Sequence, residues 1–381
     1  MLSNIFVKEN INTGRQPELD FARGLAVLFM IAVHVLEEFS SELVYSSVPG
    51  TIIAFLGSPP AAPVFMFILG TGLVYSKKQD AKSLFKRGLF ILAAGYVLNI
   101  LRGVLPYTTA YLLSGSREFL SISAGEFISI DILQFAGLAF LFFAFISFIK
   151  IRKIWLPVFL LIFCILNLLL VNIKTGHFIL SAFTGLIWGS NEFSYFPFLS
   201  WIIYPAAGYL WGSLLIKCKN KDLFYLICLI TNLLLLFLFF FLFMILMKMD
   251  AGFDDPYNYY HHTLPGNLLF VSFIFSWITA LYFAAKPLKG WIKSTVGRWS
   301  RNVMQIYVIH WIFIGWLSLF IQNSGYKLSI ILFTGIFLIS DLSAAWYLEL
   351  CRKKSPPGTI IIINKKVFFN ITDTVFLKKK E

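Results

Sequence analysis

Two ionisable side chains sit inside one apolar stretch. Leu19 to Phe39 reads LDFARGLAVLFMIAVHVLEEF and carries Arg23 and His34. Eleven residues of helix climb roughly 16 Å and finish roughly 20° past three full turns, so the two share a face. An ionisable residue in a membrane span is expensive and is read as functional. The plainer alternative lets Arg23 snorkel to the headgroups and puts His34 at the far interface. Glu37 and Glu38 follow His34 at the spacings that touch on a helix. A carboxylate that holds one imidazole nitrogen leaves the other free as a base for a hydroxyl or amine. Glu38 is therefore expected beside the acceptor.

Arg23 is a permanent cation suited to phosphate. Asp20, one turn below, is an alternative partner for it. An anionic donor entering at that end meets Arg23 first, and its reactive end must then reach about 16 Å to His34. The pantetheine arm of coenzyme A has that kind of length, with the charge at one end.

Such a pair needs a membrane around it, and the composition supplies one. The chain of 381 residues is 58% hydrophobic, which excludes a soluble domain of this size. Ten spans are expected near 20–39, 51–76, 86–104, 127–149, 154–172, 197–216, 223–247, 265–286, 303–322 and 327–348. The net charge of +13 falls in every second loop. Lys77 to Arg87, Lys150 to Lys153, Lys217 to Lys221, Lys286 to Arg301 and Arg352 to Lys354 form the basic set. Topology explains this charge better than nucleic acid does, and it places both termini in the cytoplasm. The fold class expected is all-α and polytopic. Residues 1–18 form a cytoplasmic segment, 19–348 the membrane domain and 349–381 a cytoplasmic tail. The N-terminus has no cleavable signal pattern. The four cysteines show no disulfide or metal spacing, and no metal is expected.

Three outer loops, 105–126, 173–196 and 248–264, are rich in Tyr, Asp, His and Trp, residue types that hold sugars and also form interfacial belts. The second span contains GSPPAAPVFMFILGTG. It reads as two half-helices beside a cavity or as a plain kink. The seventh span is featureless and expected to face lipid. The Asn370 sequon falls on the cytoplasmic side, where it is not glycosylated.

Dinucleotide, phosphate-loop, nucleophile-elbow and paired-His zinc motifs are missing. RGLAVLFMIAVH, an Arg, ten residues and a His, resembles the motif of the acyltransferase-3 family of integral membrane acyltransferases. ELDFARGLAVLFM is similar to the start of the heparan-α-glucosaminide N-acetyltransferase catalytic domain. PVFMFILGTGLVYSKK resembles the second helix of both groups. DILQFAGLAFLF and FPFLSWIIYPAAGYLWG resemble segments of the heparan type, and VGRWSRNVMQIYVIHW the late helix of the wider superfamily. Many heparan-type relatives have Asn where this chain has His34, which leans it towards the acyltransferase-3 pattern.

The resemblance implies an enzyme that takes an acyl group, acetyl first of all, from cytoplasmic acetyl-CoA or another acyl-CoA. The acceptor implied is a hydroxyl or amine of an extracytoplasmic glycan. His34 is implied as the catalytic base and Arg23 as a residue of the donor channel. Tyr307 and His310, in the inner half of span nine, are expected against the pantetheine arm or in interhelical packing. Asp131 and Gln134 are expected in the reaction chamber or in a helix–helix hydrogen bond. His261 and His262 are expected at the outer mouth, touching the acceptor or solvated. Asp341 is expected as the counter-ion of Arg23. The competing class is a transporter or flippase for a sugar or lipid-linked substrate. The partners expected are the bilayer, acyl-CoA and the glycan, with no nucleic acid and a homodimer left open. The composition fits a bacterial cell membrane.

Overall fold

The computed structural model describes residues 5–170, 173–189, 192–247 and 259–353. The Asn370 sequon, the tail beyond Lys353 and residues 248–258 of the third outer loop lie outside the described residues. Within them the chain is helical, with isolated bridges and no strand. In hydrocarbon a helix satisfies its own backbone, so apolar runs of this length have no other stable form.

The helices, in order, are α1 (Pro17–Phe39), α2 (Val48–Gly57), α3 (Ala62–Tyr75), α4 (Ala81–Asn99), α5 (Leu105–Ser114), α6 (Glu118–Ile128), α7 (Ile132–Phe148), α8 (Leu156–Leu170) and α9 (Phe178–Trp188). They continue with α10 (Ile203–Leu215), α11 (Lys221–Met247), α12 (Leu264–Ala285), α13 (Gly290–Arg301), α14 (Val303–Leu317) and α15 (Tyr326–Lys353). Eight helices, counting α2–α3 and α4–α5 as one each, are long and apolar enough to cross a membrane. The protein is thus an all-α, multi-pass membrane protein. The expected fourth and ninth spans are shorter apolar helices, α7 of 17 residues and α14 of 15.

Other expectations also shift. Residues 105–126 are not a loop: a π-helical turn, Ile100–Val104, carries α4 straight into α5, and α6 folds back on it. The loop 173–196 contains α9. The last helix runs to Lys353, past the expected boundary at 348. The second span is two half-helices, α2 and α3, parted at Ser58–Ala61, where the Pro pair interrupts the backbone ladder. α11 is largely exposed over Lys221–Phe241, as a lipid-facing helix should be.

One face gathers the basic loops. Lys221 donates to Glu18 at 2.8 Å, and Ser300 to Asp20 at 2.9 Å. Ser147 donates to the Gln79 carbonyl at 3.1 Å, and Lys153 to Ser213 at 2.8 Å. These bonds draw the start of α1 and four inter-helix turns to one end of the bundle, called the basic face below. α1 runs from it through the centre, touching α2, α3, α12, α13, α14 and α15. Its flank is buried from Leu19 to Phe39.

Close approach of α3 and α10 closes the wall beside α1. A Cβ on Gly70 would lie 1.8 Å from the Pro205 carbonyl oxygen, and one on Gly208 1.9 Å from that of Phe67. Without side chains at these two positions the backbones touch, and Thr71 donates across to the Gly208 carbonyl at 3.0 Å.

Candidate active site

α1 presents Arg23 and His34 to two neighbouring cavities that share part of their lining. The inner one, about 220 Å³, starts near the basic face at Arg15, Gln16 and Ser76 and is lined by Arg23 and Arg87. The outer one, about 40 Å³, is lined by His34, Glu37, Asp131, Tyr259 and Tyr260. Met30, Phe65, Ile132 and Tyr307 line both and form the neck between them. Gly57, Ser58, Ala61 and Ala62, at the break between α2 and α3, give the outer cavity a wall of small side chains. The interrupted span is therefore a pair of half-helices beside a cavity.

At the inner end Arg23 has no hydrogen bond or ion pair among the described residues. Asp20, its alternative partner, is taken by Arg15 and by Ser300. Asp341 is not its counter-ion either: Arg298 on α13 reaches Asp341 at 2.5 Å. The Arg87 guanidinium stacks 4.5 Å over the Phe140 ring. Arg15, Arg23 and Arg87 bring three guanidinium groups to this lining beside Asp20, which pairs with Arg15, and such an arrangement is able to bind an anion.

At the outer end a buried network backs His34. Asp131 caps α7, accepting from the Ile132 amide at 2.6 Å. Its other oxygen accepts from Arg102 at 2.6 Å and from the Tyr307 hydroxyl at 2.7 Å. Arg102 sits in the π-helical turn, a feature that recurs at functional sites. Its guanidinium lies 4.3 Å over the Trp311 ring, and Trp311 lies 4.3 Å from the His34 ring. The Nδ1 of His34 is 3.0 Å from Nε2 of His310, and Nδ1 of His310 is 3.0 Å from the Ile306 carbonyl oxygen.

Several expected residues fall elsewhere. His310 is fully buried, lines neither cavity, and meets His34 in interhelical packing. It also displaces the carboxylates: neither Glu37 nor Glu38 hydrogen-bonds His34. Glu38 is exposed and outside the outer cavity. Gln134 is buried and closes the capping box of α7 with the Asp131 amide, at 3.2 Å, instead of facing the chamber. His261 and His262 are buried rather than at a solvated mouth. His262 sits 2.8 Å from the Tyr204 hydroxyl, and the neighbours Tyr259 and Tyr260 line the cavity instead. Burial lowers the pKa of His261 to about 4 and of His262 to about 3. Burial also raises the carboxyl of Glu126, a neighbour of Arg102.

Arg102 is missing from the sequence-based expectations, Arg87 enters them only as a loop charge, and Trp311 only as part of the late-helix motif. Arg102 lies within the apolar run 86–104, so the rule that drew attention to Arg23 applies to it equally.

No group of three His, Cys, Asp or Glu among the described residues is arranged to hold a metal ion. Residues 15–229 match the model of the family described as heparan-alpha-glucosaminide N-acetyltransferase, catalytic. The match takes in Arg23, His34, Arg102 and Asp131 and ends before α14. No curated protein matches the chain.

Proposed function

Because the chain belongs to the heparan-alpha-glucosaminide N-acetyltransferase family, and is by that membership a membrane enzyme of N-acetyltransferase type, we propose that it transfers an acetyl group from acetyl-CoA, bound from the basic face, to a hydroxyl or amine at the opposite face. The basic face is cytoplasmic in this reading, the acceptor is an extracytoplasmic glycan, and the membrane is that of a bacterial cell.

The observation that carries the reading is the pair of neighbouring cavities that share Met30, Phe65, Ile132 and Tyr307 as lining residues. One has unpaired Arg23 in its wall; the other has His34. The donor's phosphates would lie among Arg15, Arg23 and Arg87, and its thioester would pass the neck. His34 would take the acceptor's proton as the acceptor oxygen or nitrogen attacks the thioester carbonyl. The C–S bond then breaks, and the coenzyme A thiolate leaves with that proton. Directed base catalysis of this kind contributes about 10²- to 10⁴-fold. Asp131 would work from behind, through Tyr307 and Arg102, since both of its carboxylate oxygens accept from protein donors.

His34→Ala should reduce acetyl transfer by about 10²-fold or more while acetyl-CoA still raises the melting temperature of the purified protein. Transfer at the wild-type rate by that variant would defeat the reading. The half-helix break beside a cavity also favours a transporter. Sugar uptake into vesicles with no acyl donor present would support that second class instead.

A further inference from the structure

We infer that His310 is a positioning residue which fixes the tautomer of His34, leaving Nε2 of His34 as the base in the outer cavity. The inference rests on the reading of His34 as the base.

The Ile306 carbonyl oxygen can only accept, so the His310 Nδ1 that lies 3.0 Å from it carries the hydrogen. In neutral His310 the remaining nitrogen, Nε2, is then bare. That bare Nε2 is 3.0 Å from Nδ1 of His34, so Nδ1 of His34 must be the donor. Nε2 of His34 is left with a free lone pair, and nothing among the described residues donates to it. The two rings are parallel within 4° with centroids 5.3 Å apart, which fits an end-to-end bond in the ring plane.

The same chain of bonds serves the charged state. When His34 takes a proton on Nε2, the positive ring still donates from Nδ1 to His310. Charge-assisted bonds are stronger than neutral ones, so this contact tightens as the proton arrives. Orientation comes from the same helix. Trp311, next in sequence to His310, lies against the His34 ring at 4.3 Å, and Arg102 stacks on Trp311 at 4.3 Å. A first-span carboxylate was the expected orienting group; here α14 supplies an imidazole in its place.

The test uses the full-length protein labelled with ¹⁵N in its histidine rings, of which there are five. Comparison with His34→Ala identifies the His34 signals. The wild type should show His34 protonated at Nδ1 and bare at Nε2. His310→Phe keeps a ring but removes the acceptor, and His34 should then move to the other tautomer or a mixture. In turnover, His310→Phe should lower kcat by about 30-fold or more with KM for acetyl-CoA within about twofold, because only the base is disturbed. His310→Gln puts an amide oxygen near the lost Nε2 and should recover about a tenth or more of the wild-type kcat. His34 found protonated at Nε2 in the wild type would overturn the inference, as would a wild-type kcat in His310→Phe. If His34→Ala is inactive while His310→Phe is fully active, only this inference fails. If His34→Ala is fully active, the reading beneath it fails. Should His310→Phe not fold, the wild-type tautomer and the Gln variant still decide.

Discussion

Arg102 is the residue on which the outer half of the site rests. It is buried, pairs with Asp131 at 2.6 Å and stacks on Trp311. Its removal leaves a buried carboxylate with one hydroxyl donor and one amide. Breaking a buried pair from one side costs about 3–5 kcal/mol. Arg102→Met should therefore lower the melting temperature clearly, and Arg102→Met with Asp131→Asn should lower it less. Thermal unfolding in detergent checks both, and an unchanged melting point in Arg102→Met would mean the pair is solvated. His261 and His262 give a pH dependence. Their folded-state pKa values, about 4 and about 3, lie below the ordinary histidine value. Below about pH 6.5 the unfolded chain takes up protons that the folded one refuses, so stability falls as pH falls from there towards 4. Above that pH these two histidines contribute no slope. Melting curves between pH 4 and 8 should show the fall, and His262→Gln should flatten it. Arg23 and His34 were legible in the sequence because charge in an apolar run is conspicuous. His310 as the partner of His34 was not, since 276 residues separate them and only the packed bundle brings them together. In the run YYHH the sequence favours the histidines as polar ligands. The fold buries both, packs His262 against Tyr204 and Trp201, and turns the tyrosines to the cavity.

The helices were legible to different degrees. α1 and the basic turns follow directly from hydropathy and charge. The break between α2 and α3 follows from its Pro pair, although composition alone could not separate a kink from two half-helices. The π-helical passage from α4 to α5 has no local signature in LRGVLPYTT; it becomes visible only as the backbone that seats Arg102. The Gly70–Gly208 crossing was not legible, because the pairing of the two glycines is tertiary. Gly208→Leu should separate α3 from α10, with a penalty of about 1–3 kcal/mol or more. Loss of the folded, monodisperse peak on size exclusion, or a strongly lowered melting point, would register it. A variant as stable as the wild type would mean the two helices part without loss.

For the whole molecule the arrangement is a two-ended one. The wide, cationic cavity opens on the basic face, and the narrow one holds His34 and lies towards the other. Donor and acceptor should then be accepted from opposite sides. In proteoliposomes of single orientation, external acetyl-CoA should support transfer only when the basic face is outside, and transfer with equal rate from either side would contradict the two-ended arrangement. Family membership and an all-α, multi-pass fold are readable in the sequence, because both depend on order along the chain; of the ten spans expected, eight of the described helices are long and apolar enough to cross a membrane. The neck was not, because its four side chains come from α1, α3, α7 and α14.

Two of those four helices are short. α7, with 17 residues, and α14, with 15, extend only about 25 and 22 Å, against about 30 Å of hydrocarbon. They also carry Asp131 and His310 at or near the chemistry. Lipid beside them must compress, or longer neighbours must shield their ends. In the proposed reaction, compressed lipid would narrow the barrier where the acetyl group is handed across, and the acyl-chain length of the surrounding phospholipid would become a variable of the reaction.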